Sequence, residues 1–392
     1  MSPVVAAAIV VFCEGLVLWA VFPIMSYYCA AFGGGPVWVG VLFALMSGPR
    51  VIFNPLFGRL SERYGRRPLM VVASLGTLAS SVVWAVAPSL MWLAVSRLLM
   101  GVFGAQAALS AAVAADVTPP ERRGGAMGVL GGTFGLSMIL GPLLGGLVTH
   151  FGSHAMVGWA GAALQGVSVV TCLVGLRETR PLEAVAAASR PRRFDGDLWV
   201  LPNVTPLMVA TLISTLAVTQ ITTTFSLLAE RQYQYREREV AYFFTLFGLI
   251  GTLVQGGLVR ALAPRFGDKP LAVAGLVALA LGGALTALTP PRAGLWAAMS
   301  LVGVGAALST PTLTALVSGC AGADRQGALL GLHQGVTALA RGLGAPLAGG
   351  MFRAVGASAP YGLSAVISVV AVVVVAGVRV RSSAAPPPAA EL

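Results

Sequence analysis

Charged residues are scarce in this chain of 392 residues: only 10% are Asp, Glu, Lys or Arg, against about 25% in a typical soluble domain. So few charges cannot cover the surface of a soluble 40 kDa protein. The hydrophobic residues, 57% of the chain, are gathered in runs of roughly 20, the length that crosses about 30 Å of hydrocarbon as a helix. We therefore expect an all-α, polytopic protein in a lipid bilayer.

A phosphate-binding lysine is missing as well. The only lysine, Lys269, directly precedes Pro270, whereas a P-loop needs a lysine after a glycine-rich turn. The four cysteines form no CxxC pair. His150 and His154 are spaced i,i+4 but have no third ligand nearby, and we interpret them as loop residues. We expect no ATP hydrolysis, no cofactor and no metal site, which leaves an ion or solute gradient as the energy source.

Two further classes of protein are disfavoured. We find no cluster of nucleophile, acid and base, which a membrane enzyme would need. A membrane enzyme or a non-transporting receptor is therefore kept only as the alternative to a transporter. The formal charge of +11 would suggest nucleic acid on a soluble protein. Here the arginines lie in loops between hydrophobic runs, as the positive-inside rule predicts, so the expected partner is lipid and not nucleic acid.

The hydrophobic runs predict twelve spanning helices. Their approximate bounds are 4–26, 37–57, 69–88, 90–114, 125–149, 155–176, 204–228, 240–262, 270–290, 293–317, 327–350 and 360–378. The arginine-rich loops 58–68 and 115–124, the segment 177–203 and the tail fall on one side. Both termini are therefore predicted to be cytoplasmic, in the plasma (inner) membrane.

Matching segments divide the chain into two halves. GRLSERYGRRP (58–68) has a partner in RALAPRFGDKP (260–270), ERRGGAMG (121–128) in DRQGALLG (324–331), and LGPLLGG (140–146) in LGAPLAGG (343–350). The domain prediction is a six-helix half at 1–176, a cytoplasmic linker at 177–203, a second half at 204–378 and a disordered tail at 379–392. Two related six-helix halves are one known transporter plan, with the solute site at their interface.

The segment GRLSERYGRRP resembles the loop 2–3 signature of the major facilitator superfamily. The resemblance implies a tight turn, together with a charge cluster that locks the cytoplasmic helix ends in one state and opens in another. The implied gating residues are Gly58, Glu62, Arg63, Gly65, Arg66, Arg67 and, at the end of helix 4, Asp116. The alternative is that the arginines only anchor the topology.

Arg97 to Ala105 is similar to the superfamily's helix 4 motif, in which the arginine is linked to proton transfer. Met100 stands where that motif has glutamine. An arginine so far inside a span is costly and should have a partner. The alternative is that Arg97 snorkels to the outer interface.

Gly128 to Gly146 resembles the helix 5 motif of exporters in the drug:proton antiporter branch, with Ser137 in place of a glycine. Gly141, Pro142 and Gly145 would then form a close, bendable helix contact. This motif favours export over import.

Helix 1 carries the fourth resemblance. Glu14, with Pro23 nine residues later, is similar to the acid of twelve-helix tetracycline-type efflux proteins. Those proteins also carry acids in helices 3 and 9, but spans 69–88 and 270–290 here contain no Asp or Glu. Their absence argues against tetracycline as the substrate.

Glu14 is the only acid found deep in a span, where burial disfavours its charged form and suits it to load and release a proton. Arg50 lies at about the same depth, so we predict that the two pair in one state and separate in another. A static pair is the alternative. The proton-coupling candidates are Glu14, Arg50 and Arg97.

Arg50, Arg97 and Arg341 outnumber Glu14 within the spans. If these arginines face the central cavity, the cavity is electropositive and suits an anionic substrate. The alternative is that each arginine binds backbone carbonyls between helices. The substrate-binding candidates are Glu14, Arg50, Gln220, Thr223 and Arg341. The predicted function is proton-coupled efflux of small organic molecules by a monomer through alternating access, and the alternative is an organic-anion carrier.

Overall fold

The computed structural model describes residues 1–119, 122–179, 198–199, 201–320 and 325–378. Most of the predicted linker and all of the tail from 379 to 392 lie outside these residues. The described part of the chain is almost entirely helical and contains no strand, which confirms the predicted all-α fold.

The long helices follow the predicted spans closely. They are α1 (Pro3–Val21), α2 (Pro36–Tyr64), α3 (Arg66–Ala85), α4 (Leu90–Val117), α5 (Arg123–Phe151), α6 (His154–Gly175), α7 (Val204–Tyr233), α8 (Glu237–Phe266), α9 (Asp268–Ala287), α10 (Arg292–Ser318), α11 (Gln326–Ala354) and α12 (Ala359–Gly377). A short helix, Met25–Ala31, continues α1. The eleven helices other than α11 are long and apolar enough to cross a membrane. The twelfth, α11, is long enough with its 29 residues but is not among these eleven, so the count of twelve spans stays a prediction.

The repeated sequence around Gly65 and Gly267 has the same backbone at both places. Gly65 has φ 97° and ψ 158°, and Gly267 has φ 82° and ψ 162°. Side chains rarely adopt such positive φ values, which glycine tolerates because it has no Cβ. The turn that joins α2 to α3 is thus repeated between α8 and α9, as the pseudo-symmetry predicts.

A basic residue two positions after each of these glycines binds the end of another helix. The Arg67 guanidinium donates to the carbonyls of Cys172 and Leu173 at the end of α6. The Lys269 ammonium donates to the carbonyls of Ala376 and Val378, beside the end of α12, at 2.7 and 2.8 Å. Cations stabilise the free carbonyls at helix C-termini. We call this end of the bundle the basic end and the other one the opposite end.

The first set of helices, α1 to α6, meets the second set, α7 to α12, through α2 on α11 and α5 on α8. Near the opposite end the contact is close. Gly40 lies against the backbone of Ala345, Gly349 against the carbonyl of Pro36, and Gly146 against Ala241. Such backbone approach is available only to very small residues.

Towards the basic end the same helices separate. A Cβ placed on any of four glycines of α5 and α11 would meet no atom of the described residues within 4 Å; these are Gly128, Gly131, Gly331 and Gly335. The two sets therefore close the opposite end and diverge at the basic end.

Replacing Gly65 by alanine is expected to destabilise the protein by about 1–3 kcal/mol, because the backbone there belongs almost only to glycine. The new Cβ would also strike the Glu178 carboxylate. Thermal unfolding in detergent measures the effect. Gly58→Ala is the matched control, since its Cβ would meet nothing within 4 Å; equal losses for both variants would contradict the account.

Candidate functional site

The centre of the candidate site is the carboxylate of Glu14, halfway along α1. Glu14 is only 4% exposed. Its Oε1 lies 3.5 Å from Arg50 Nη2, and its Oε2 accepts the backbone N–H of Ala107 at 3.1 Å. The structure thus brings Glu14 and Arg50 together as predicted, while their roles in proton coupling stay predictions.

Two helix breaks create this arrangement. The α2 span is interrupted at Gly48 and Pro49, directly before Arg50. The α4 span is interrupted at Gly104 and Ala105, where the sequence predicted a continuous helix. The second part of α4 therefore begins beside Glu14, and its free N–H groups, which carry partial positive charge, favour the carboxylate.

Gly104 also makes room for the arginine. A Cβ at Gly104 would collide with the Arg50 guanidinium, and one at Gly101 would collide with the carbonyl of Leu45 in α2. Two glycines of the helix 4 motif thus allow α2 and Arg50 to lie directly against α4. The motif sequence alone gave no sign of this steric role.

A buried polar cluster holds the second part of α4 in place. Gln106 Nε2 donates to Thr77 Oγ1 in α3 at 2.7 Å, and Thr77 donates to Gln165 Oε1 in α6 at 3.1 Å. All three side chains are fully buried. Buried polar groups need such partners, so this cluster ties α3, α4 and α6 together directly behind the Ala107 amide.

Arg97 is buried inside the first set and does not snorkel to the outer interface. It is 2% exposed; its guanidinium lies 4.3 Å from the ring centre of Trp84 and donates to Ser96 Oγ at 2.9 Å. It pairs with no carboxylate among the described residues. The aromatic face therefore carries much of the stabilisation of this cation, and Arg50 lies near enough to repel it.

Arg341 faces accessible space. Its side chain is exposed although it lies in the middle of α11, and it too is close enough to be repelled by Arg50. A Cβ added to the next residue, Gly342, would lie 3.2 Å from the Cα of Gly48 in α2, which places Arg341 at the interface of the two sets. Since Arg50 is 21% accessible, at least two cations border the space between the sets.

The predicted neutral hydrogen-bonding residues lie deeper in the protein. Gln220 is fully buried and donates to the carbonyl of Gly344 at 3.1 Å. Thr223 is 3% exposed. The structure thus places both inside the second set, and their role in substrate binding stays a prediction.

At the basic end, Arg66 and Asp116 pair as the gating motif implies. Arg66 Nε lies 2.8 Å from Asp116 Oδ2, and Arg66 Nη1 donates to Ser61 Oγ at 2.6 Å. Glu62 is exposed and forms no ion pair within the described residues. Arg63 lies over the ring of Tyr64, also at the surface.

Glu178, at the start of the linker, occupies the place that the sequence suggested for Glu62. Its carboxylate accepts the backbone N–H groups of Arg66 and Arg67 at 2.9 and 3.2 Å, capping the start of α3. Acids are favoured at helix N-termini. Sequence analysis missed Glu178 because more than a hundred residues separate it from its partners, with no motif to connect them.

The glycines of the helix 5 motif pack α5 against α1. A Cβ at Gly141 would meet Trp19 and the carbonyl of Leu16, and one at Gly145 would strike the carbonyl of Ala20. Pro142 is buried within α5. The close contact expected of these residues is present, and their gating role stays a prediction.

His154 is not the loop residue that the sequence suggested. It begins α6, and its Nε2 lies 3.0 Å from Glu237 Oε1 at the start of α8. His150 is not a loop residue either: it lies in the last turn of α5, where its ring contacts Phe151. No group of three metal ligands occurs among the described residues.

Comparisons with known proteins agree on one family. The family model for the Major Facilitator Superfamily matches residues 7–264 and 258–392. The tetracycline resistance protein, class E, of Escherichia coli is 28% identical over 348 residues, which are 87% of this chain and 85% of that protein. Major facilitator superfamily domain-containing protein 10 of Homo sapiens is 26% identical over 368 residues, 86% of this chain and 77% of that protein.

A solved structure shows the same fold. The crystal structure of the human organic anion transporter MFSD10 (TETRAN) has a TM-score of 0.72 and 21% sequence identity, over 95% of this chain and 98% of that one.

Replacing Arg97 by glutamine is expected to raise the apparent Tm, because an arginine without a carboxylate partner inside a span costs about 2.5–3.5 kcal/mol, which exceeds the roughly 0.5–2 kcal/mol lost with the Trp84 contact. Arg66→Gln, the matched variant, is expected to lower the apparent Tm by breaking a charged hydrogen bond worth about 1.5–3 kcal/mol. Thermal unfolding in detergent compares the two. Changes of the same sign would contradict the contrast between these arginines.

Proposed function

Since the chain belongs to the major facilitator superfamily, we propose that it exports small organic molecules in exchange for protons. It is a multi-pass membrane transporter, and its similarity to tetracycline resistance proteins links it to the drug:proton antiporter branch. The observation that carries the proposal is the buried Glu14 carboxylate, which is held by Arg50 and by the amide of Ala107.

The proposed topology places the basic end in the cytoplasm, with both termini cytoplasmic and the chain in the plasma (inner) membrane. Basic loops remain on the cytoplasmic side during insertion, which supports this orientation. The space bordered by Arg50 and Arg341 then opens towards the cytoplasm, the side from which an exporter takes its substrate. The six-helix halves 1–176 and 204–378 enclose this space together, so we propose that one monomer suffices.

Proton and substrate would act on the same ion pair. A proton on Glu14 neutralises the carboxylate and releases Arg50, which lies beside Arg341 and in the field of Arg97. Loss of the proton restores the attraction between Glu14 and Arg50. The two states differ in charge at the interface of the halves, so each can favour a different arrangement of them.

The gating residues fit this cycle. Arg66, Asp116 and Glu178 join the ends of α3, α4 and α6 at the basic end, so they hold the first half as one body while it rocks. Gly141 and Gly145 keep α5 against α1. The fixed unit would therefore be the half, and the moving contacts would be those of α2 with α11 and of α5 with α8.

An organic-anion carrier is the second candidate. The exposed side chain of Arg341 beside Arg50 favours it, because two cations at one cavity attract anions. The fold is also shared with a protein described as a human organic anion transporter.

Replacing Glu14 by glutamine is expected to abolish solute accumulation driven by a pH gradient in sealed vesicles. The amide keeps the shape, and its single oxygen can accept from Arg50 or from the Ala107 N–H, but it binds no proton. Transport of a solute panel with and without the gradient measures the effect. Glu230→Gln is the control, because Glu230 is exposed near the end of α7 and is not among the proposed gating or transport residues.

Undiminished gradient-driven transport by the Glu14→Gln protein would remove Glu14 from the mechanism. Loss of monodispersity in detergent would instead identify a folding defect, and Glu14→Asp then provides a second test that keeps the titratable group.

Replacing Arg341 by glutamine is expected to raise the KM for anionic solutes about tenfold, as loss of a charged hydrogen bond worth about 1.5 kcal/mol would do. The KM for neutral solutes should change little. Competition assays with matched acid and ester solutes measure the difference. Arg353→Gln, an exposed arginine in the last turn of α11 at the opposite end, is the control, and an equal change for acids and esters would contradict an anion site.

A further inference from the structure

The contact between His154 and Glu237 bridges the two halves at the opposite end. His154 begins α6 in the first set and Glu237 begins α8 in the second, and 3.0 Å separates Nε2 from Oε1. Both side chains are 26% accessible, so water can deliver a proton to them. The pair shares no residue with the proposed transport cycle and is distant in sequence from Glu14, Arg50 and Arg341.

The imidazole of His154 is held firmly in position. It stacks on Tyr28 with ring centres 5.2 Å apart and planes inclined by 15°. The indole N–H of Trp84 donates to the His154 carbonyl at 3.1 Å, and the Tyr28 hydroxyl donates to the Trp84 carbonyl at 3.3 Å. A ring that is already ordered loses little entropy when it pairs with a carboxylate.

A second contact between the halves lies beside this pair but does not titrate near neutral pH. The Tyr27 hydroxyl donates to the carbonyl of Tyr235 at 2.7 Å. Two contacts therefore join the halves at the opposite end: the hydrogen bond from Tyr27 is neutral, whereas the charge of the other contact depends on His154.

The other charged groups around the pair are close to balanced. Glu237 contacts His154 directly, and Arg236 attracts Glu237 while Glu230 repels it. The remaining titratable or charged neighbours on the packed elements are Tyr27, Tyr28, His150, Arg238, Glu239 and Arg292, with Arg97 behind Trp84. With acids and arginines both present, the charge on His154 itself decides the strength of the bridge.

We propose that His154 and Glu237 form a second proton-binding site, which binds a proton when the opposite end is closed and thereby holds it closed. The ion pair exists only in that state, so by linkage a proton on His154 must favour it. Histidine changes charge between about pH 5 and pH 8. Acid on the outer side, in the proposed topology, would thus favour the arrangement seen in this structure.

The proposed site does not require the substrate, so it can be tested on conformation alone. Fluorophores are attached through unnatural amino acids at positions 91 and 355, whose native side chains are 62% and 74% exposed at the opposite end of the first and second sets. Energy transfer within single full-length molecules in lipid nanodiscs then reports the ratio of closed to open molecules.

Between about pH 8 and pH 5.5 the closed-to-open ratio of the unaltered protein is expected to rise about two- to fivefold, as for a partly exposed ion pair. His154→Gln and Glu237→Gln should both lose this rise, and either one suffices if the other fails to fold. His150→Gln, the matched histidine control, should keep it. Each variant is also measured in the Glu14→Gln background, where protonation of Glu14 cannot contribute to the rise.

Three results would overturn the proposal: a flat response of the unaltered protein, a rise retained by His154→Gln or Glu237→Gln, or a rise abolished by His150→Gln. A rise that is absent from the Glu14→Gln background would also overturn the proposal, because it would assign the whole response to Glu14. If Glu14→Gln loses transport but keeps a rise that depends on His154, the two proton sites are separate; if it keeps both, the proposed exporter mechanism fails while the second site stands.

Discussion

The high cost of a charge in hydrocarbon shapes this protein. The described helices bury one acid near the middle of the bundle, and the chain satisfies it with both a side chain and a backbone group: Arg50 on α2 and the amide of Ala107 on α4. Both partners lie at helix breaks, and glycine or proline occurs at each break. The irregular backbone is thus tolerated where it serves an ion, as is usual in membrane proteins.

The contacts around that ion pair repeat between the two pseudo-symmetric halves. The α2–α11 and α5–α8 contacts are related by the repeat, and both are close at the opposite end and separate at the basic end. The turn glycines and the cations that bind the ends of α6 and α12 repeat as well. Helix ends are thus bound in a similar way in both halves, while small residues form the close contacts between the halves.

Much of this architecture could be predicted from the sequence. Hydrophobic runs predicted the helices, since a segment that spans a bilayer as a helix satisfies its own backbone hydrogen bonds. The motif at Gly65 predicted the turn and the Arg66–Asp116 pair. Pairing of Glu14 with Arg50 followed from their similar depth. These features depend on local composition or on short motifs.

Other parts of the site could not be predicted, because they depend on which helices become neighbours. The break in α4, the support of Gln106 by Thr77 and Gln165, the cap from Glu178 and the His154–Glu237 bridge all join distant segments. Gln220 and Thr223, the predicted neutral hydrogen-bonding residues, are buried in the second set, where polar groups also serve helix packing, and their role in substrate binding stays a prediction.

The most direct test of the central claim is an infrared difference spectrum of the purified protein in lipid, recorded as the pH is lowered. If Glu14 exchanges Arg50 for a proton, a protonated-carboxyl band that shifts in heavy water should appear, and Glu14→Gln should lack it. Identical difference spectra for the unaltered and Glu14→Gln proteins across the stable pH range would show that the Glu14–Arg50 pair is static and would contradict the account.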